Sequence, residues 1–321
     1  VDAEPPNLSV AGAEGDPSGA GPPRRRRGSQ YLPVVLGVAA GAAAIAVAIV
    51  LLRGNGEAAP PVAPAPPPAA ESEPQEILRI VFPEGFTRTE MAERITEVNE
   101  IARANRGISP TLSADDYLAA TKRSAVEDAR ARLPAEFAGD PKVKTLEGFL
   151  FPATYEFTQA TVSPELVDFQ LEAFAREWAK IDLSYAKKRK LTAYDVLIIA
   201  SMIEGEVQVP KERALVAAVI YNRLKKRMPL GIDATIRYGL NIPPTRPIRQ
   251  SELDDPNPYN TRIHRGLPPT PIGNPGLASI QAAAHPADVD YLYFVRKKDC
   301  KSHFFTASEA EFLERLEKPR C

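Results

Sequence analysis

The stretch Tyr31–Leu52, YLPVVLGVAAGAAAIAVAIVLL, carries no charge and follows four arginines, Arg24–Arg27. At about 1.5 Å rise per residue, a helix over it spans roughly 33 Å, enough to cross a bilayer's hydrocarbon core. The run exceeds the apolar centre of a signal peptide, about 7–15 residues, so a retained transmembrane helix is expected. A buried core helix is disfavoured, because Pro/Gly-rich sequence on both sides leaves it nothing to pack into. Arg53 is the sole basic residue between the run and Arg79, which puts the positive flank at the N-terminal side and that side in the cytoplasm. Residues 1–30 then read as a disordered cytoplasmic tail, and residues 53–75, dominated by Pro and Ala, as an extended spacer.

Everything beyond the spacer faces the exterior in this topology, which excludes nucleic acid as a partner. With 44% hydrophobic residues in 321, the chain can bury a sizeable core. Ile77–Phe82 suits a strand and Pro83–Gly85 a turn. Thr87 or Thr89 caps a helix carrying Met91, Ile95 and Val98, and LSADDYLAA reads as a second helix with Ser113 as its cap. Leu146–Phe157, with its aromatics and prolines, fits a strand pair or a buried extended segment. SPELVDFQLEAFAREW places Leu166, Phe169, Phe174 and Trp178 near helical spacing. Helices dominate to about Arg227, loops and prolines thereafter, with a strand at 291–295 and a terminal helix over ASEAEFLERL. The expected fold class is α+β, with a small module at 76–140 and a larger domain at 141–321.

The stretch VLIIASMIEGEV, 196–207, raises the question of chemistry. Seven of the eight residues before Glu204 are apolar. TAYD at 192–195 is a capping box, so a helix is expected from Ala193, ended by Gly205 and the approach of Pro210. Glu204 then sits in the last turn. Apolar surroundings, the negative end of the helix dipole and Glu206 two residues away all favour its protonated form, which suits a general acid. An E-x-E at a helix end is more often simply solvated. Positions two apart on a helix point about 200° from each other, so Glu204 and Glu206 do not form the paired acids of an ordinary glycosidase. Ser201 lacks a nucleophile elbow, and no Walker or dinucleotide-binding glycine motif occurs. His264, His285 and His303 are too scattered for a metal motif, so neither a metal nor a cofactor is expected. Cys300 and Cys321 fall in the predicted exterior, where disulfides form. Closing a loop of about 20 residues stabilises by ~3 kcal/mol, with two free thiols as the alternative.

Several blocks recur together: VFPEG, EGFLFPATY, ASMIEGE, YNRL, IDATIRYG, YNT, GLPPTPIGNPG and YLYFV. In this order they resemble the endolytic murein transglycosylases of the MltG (YceG-like) family, over roughly Ile77–Phe305. The resemblance implies a bacterial membrane enzyme, with a LysM-like module preceding a catalytic domain and Glu204 as the catalytic acid. The implied reaction cleaves the β-1,4 bond between N-acetylmuramic acid and N-acetylglucosamine and leaves 1,6-anhydro ends. The substrate is peptidoglycan glycan strands, and peptidoglycan synthases or division proteins are the implied protein partners. A sugar hydroxyl is the nucleophile in that chemistry, so one carboxylate suffices.

Asp233, Tyr259, Asn260 and Asn274 lie in the family blocks with side chains that can bond or stack on sugars, and Glu147 is a further acid that could border the cleft. Each also has a structural reading: Asn260 can hold a turn, Asp233 can cap a helix, and Asn274 before Pro275 suits turn initiation. Ala153 and Ala234 stand where the family more often has Asp and Pro, which touches peripheral binding more than Glu204. The basic runs at 187–190 and 225–227 read as solvated helix surfaces, or secondarily as contacts to anionic wall polymer. The alternative to an enzyme is a non-catalytic peptidoglycan-binding or division-scaffold protein.

Overall fold

Thr192 begins the helix that organises the molecule. Its hydroxyl accepts the Asp195 N–H, and Asp195 accepts the Thr192 N–H in return, closing the expected capping box. The computed structural model describes residues 76–122 and 125–318. The expected tail, transmembrane helix and spacer lie outside the described residues. Among the described residues, no helix is long and apolar enough to cross a membrane.

The central helix, Ala193–Glu206, is buried on every side from Ala193 to Ile203, as an all-round apolar helix must be. It packs against helices Arg213–Lys225, Asp233–Gly239 and Leu277–Ala284. Tyr194 stacks on Phe149 at 6.0 Å, which ties the start of the helix to an aromatic cluster with Phe137, Phe174 and Trp178. Contrary to expectation, Gly205 does not end the helix. The helix runs to Glu206, and Val207, in extended conformation, closes it by donating its N–H to Ile203.

Two antiparallel strand pairs flank the helices. Strand β1, Leu78–Val81, pairs with β2, Thr154–Phe157, and β3, Tyr293–Arg296, pairs with β4, His303–Thr306. Helix Arg88–Arg106 starts at Thr87 in a full capping box with Glu90, and Ser113 caps helix Ala114–Thr121. The latter packs on helix Ser163–Trp178. The small N-terminal layer is therefore closed by chain from both sides of residue 140, all within one compact unit.

Helix Ser163–Trp178 buries Leu166, Phe174 and Trp178 as expected, but Phe169 is 41% exposed. Gln170 takes the inner position instead, fully buried, with its carbonyl accepting the Tyr117 hydroxyl at 2.7 Å. A satisfied amide tolerates burial that an unpaired one does not.

The YNRL block is a staple. Tyr221 Oη donates to Ala283, Asn222 Nδ2 to Val289 and Tyr291, and Arg223 Nε to Leu292. These bonds clamp the C-terminal chain onto helix Arg213–Lys225.

Candidate active site

Glu204 lies in the last turn of the central helix with its side chain 7% exposed. Gly276 donates its backbone N–H to Glu204 Oε2 at 3.0 Å, and Arg213 Nη2 stands 3.7 Å from Oε1. Ser279, fully buried, accepts from Arg213 Nε at 3.1 Å and holds the guanidinium in place. The apolar surround is the expected one, whereas neither donor follows from the local sequence.

The neighbouring acid is also different from the one expected. Glu206 turns away: its carboxylate accepts the Ala234 N–H at 3.3 Å and lines a cavity of about 650 Å³ with Asp233, Arg262 and Arg296. Burial pushes its carboxyl up. The wide angle between alternate helical positions thus sends the two acids to different places. The carboxylate that does approach Glu204 is Glu84, from the turn Pro83–Gly85. Glu84 Oε2 is 3.9 Å from Arg213 Nη2, the nitrogen that also faces Glu204. Burial, and then the charge of Glu204, raise the Glu84 carboxyl above its ordinary value, with Arg213 opposing.

Backbone bonds fix this approach. Gly85 donates to Asn274 O at 2.8 Å, and Asn274 donates to Phe86 O at 2.9 Å. Gly85 has φ +84°, a conformation glycine adopts without strain, and a Cβ there would also sit 3.4 Å from Glu204 Cγ. A Cβ at Gly276 would fall on the Glu84 carboxylate. Ser201, buried, accepts the Ile272 N–H at 3.0 Å and donates to Ile198 O, so it ties the loop to the central helix.

Beneath the site lies a network containing two of the expected residues. Glu147 is 2% exposed and accepts from the Arg88 N–H at 3.0 Å, Asn274 Nδ2 at 2.9 Å and Tyr238 Oη at 3.1 Å. Burial pushes its carboxyl up to about 7, against the lowering by Arg88, Tyr238 and Asn274. Asn274 Oδ1 in turn accepts the N–H groups of Gly148 and Leu150. Both side chains are buried and occupied by the protein itself.

The remaining expected residues are spread out. Asn260 is buried and holds a turn, donating to Leu253 and Asp255 and accepting from Arg262. Tyr259 meets Thr270 through its hydroxyl at 2.8 Å and packs its ring 5.1 Å from Tyr238. Asp233 begins helix Asp233–Gly239 without a side-chain cap and pairs with Arg262 at 2.6 Å. Arg213, Glu84 and Tyr238 were not among the expected site residues, although Glu84 and Tyr238 stand in the VFPEG and IDATIRYG blocks.

No group of three or more His, Cys, Asp or Glu among the described residues is placed to hold a metal. His303 is instead paired with Glu212 at 2.8 Å, both buried. No cysteine among the described residues is free. Cys321, the other half of the expected disulfide, lies outside them.

These features define an α+β protein whose candidate site is a nearly buried helix-end carboxylate, lined by a second acid and an arginine. The chain belongs to the YceG-like family, which it matches over residues 69–318. It is 40% identical over 154 residues to the endolytic murein transglycosylase of Bacillus subtilis, covering 48% of this chain and 42% of that protein. Its identity to the endolytic murein transglycosylase of Streptococcus pneumoniae is 31% over 236 residues, covering 70% and 41%. The chain therefore spans about two fifths of the length of these relatives. A crystal structure of a YceG-like protein from Listeria monocytogenes superposes with TM-score 0.62 at 29% identity, covering 74% of this chain and 76% of that one.

Proposed function

We propose that this chain is a lytic transglycosylase that cuts peptidoglycan glycan strands between N-acetylmuramic acid and N-acetylglucosamine. Glu204 protonates the departing O4 of N-acetylglucosamine. As carboxylate it then takes the proton of the muramic acid C6 hydroxyl, whose oxygen attacks C1 and forms the 1,6-anhydro ring. The observation that carries this reading is Glu204 itself, held against Arg213 and the Gly276 N–H at the edge of an apolar helix. The names of the relatives support the same substrate.

In this reading the enzyme is held at the bacterial cell membrane by the helix expected at 31–52, its N-terminus cytoplasmic and its catalytic domain outside. It terminates nascent glycan strands there, beside peptidoglycan synthases or division proteins. The LysM-like module engages the glycan. Asp233 and Tyr259 contact sugar, while Glu147, Asn260 and Asn274 hold the cleft's shape. Cys300 and Cys321 form a disulfide. Purified sacculi incubated with wild-type protein are expected to release anhydro-muropeptides, and Glu204→Gln to release none. Products heavier by one water would instead mark a hydrolase. A wild type that releases nothing would favour the non-catalytic scaffold.

A further inference from the structure

We propose that Glu84 is a second catalytic residue of this site, which accepts the proton of the attacking sugar hydroxyl while Glu204 protonates the departing oxygen. The inference rests on the lytic reading above and divides between two side chains what that reading gives to one.

The two carboxylates are differently equipped for the two proton transfers. Glu204 is nearly buried, with Oε2 committed to the Gly276 N–H and Oε1 facing Arg213. Glu84 has a side chain 50% exposed, and its nearest cation, Arg213, stands at 3.9 Å, beyond hydrogen-bond length. Both Glu84 oxygens therefore keep lone pairs, and the half-exposed side chain leaves them within reach of a hydroxyl from outside the protein. Partial burial alone raises the proton affinity of Glu84 while Glu204 holds its proton, the direction a base requires.

The placement is built into the backbone. The turn carrying Glu84 is bonded through the Gly85 N–H and the Phe86 carbonyl to Asn274, two residues before the glycine whose N–H holds Glu204. Arg213 faces both acids and so offers a counterion to whichever of the two is ionised. The absence of a side chain at Gly276 is what makes room for the Glu84 carboxylate.

The step balances within the substrate and these two groups. The C1–O4 bond breaks as the C1–O6 bond forms. The O6 proton passes to Glu84 and the Glu204 proton to O4, so no water or oxidant enters. The turnover leaves Glu84 protonated and Glu204 ionised, and proton exchange with solvent restores both.

The test uses the full-length protein in detergent, with soluble uncrosslinked glycan strands as substrate. Glu84→Gln is expected to lower kcat by about 10²-fold or more with KM little changed and thermal unfolding retained. Glu84→Ala is expected to regain turnover in formate, which can replace the missing carboxylate, whereas a structural role would show no such response. Gly276→Ala supplies an independent displacement: its methyl pushes the Glu84 carboxylate aside but keeps the N–H on Glu204, and kcat is expected to fall. Wild-type kcat in Glu84→Gln, or a Glu84→Ala loss unresponsive to formate, overturns the proposal. If Glu204→Gln is inactive in those same assays, the lytic reading stands without it. An active Glu204→Gln removes the lytic reading itself.

Discussion

Glu147 and Glu204 are both acids withdrawn from water, yet the protein treats them in opposite ways. Glu147 is enclosed by the Arg88 N–H, the Asn274 amide and the Tyr238 hydroxyl. Glu204 is given one backbone N–H and a guanidinium shared with the half-exposed Glu84. Burial alone does not mark a catalytic acid. The informative property is whether acceptor capacity remains for something other than protein.

Four substitutions test that contrast. The largest effect belongs to Glu204→Gln, expected to cut turnover by about 10²- to 10⁴-fold, or roughly 3–5 kcal/mol of transition-state stabilisation, with thermal unfolding little changed. Equal losses of activity and stability would erase the distinction from Glu147.

Next comes the pH dependence of Glu147. Its carboxyl is raised from 4.5 to about 7, so the folded protein holds a proton that the unfolded chain has released between those values. The stabilising contribution is complete below about pH 4.5, falls as pH rises, and is gone above about 7. It amounts to at most about 3 kcal/mol. Urea unfolding at pH 5 and pH 8 should show this slope in wild type, and Glu147→Gln should lack it.

Asn274→Ala strips partners from Gly148, Leu150 and Glu147 together, and should cost about 2 kcal/mol in the same unfolding measurement. Asp233→Ala should change stability by less than about 1 kcal/mol, because its pair with Arg262 is exposed on both sides. A loss of turnover larger than that would assign Asp233 to substrate.

Local signals carried much of the fold. Thr87, Ser113 and Thr192 are caps because each has a short polar side chain three residues before a donor it can satisfy, and all three are readable from spacing. The separation of Glu204 from Glu206 followed from helix geometry. Gly205 misled because a glycine signals a helix end only where the backbone needs positive φ, and here the helix continues through it. Phe169 misled because periodicity cannot tell that Gln170 has a tyrosine hydroxyl waiting inside. The site was half legible. Glu204 stands out against its apolar neighbours, whereas Arg213 and Glu84 enter through contacts between segments far apart in the chain, and the blocks around them do not state which side chain points inward.

The bond from the Gly276 N–H to Glu204 spans 72 residues, and the turn carrying Glu84 is held by Asn274 across a still longer stretch of chain. Synthesis proceeds from the N-terminus, so the acid emerges long before the groups that hold it. A chain halted before Gly276 has both acids and no site. Contacts of such sequence separation form slowly, and a carboxylate site made this way is assembled only after the chain has been delivered through Gly276 and folded.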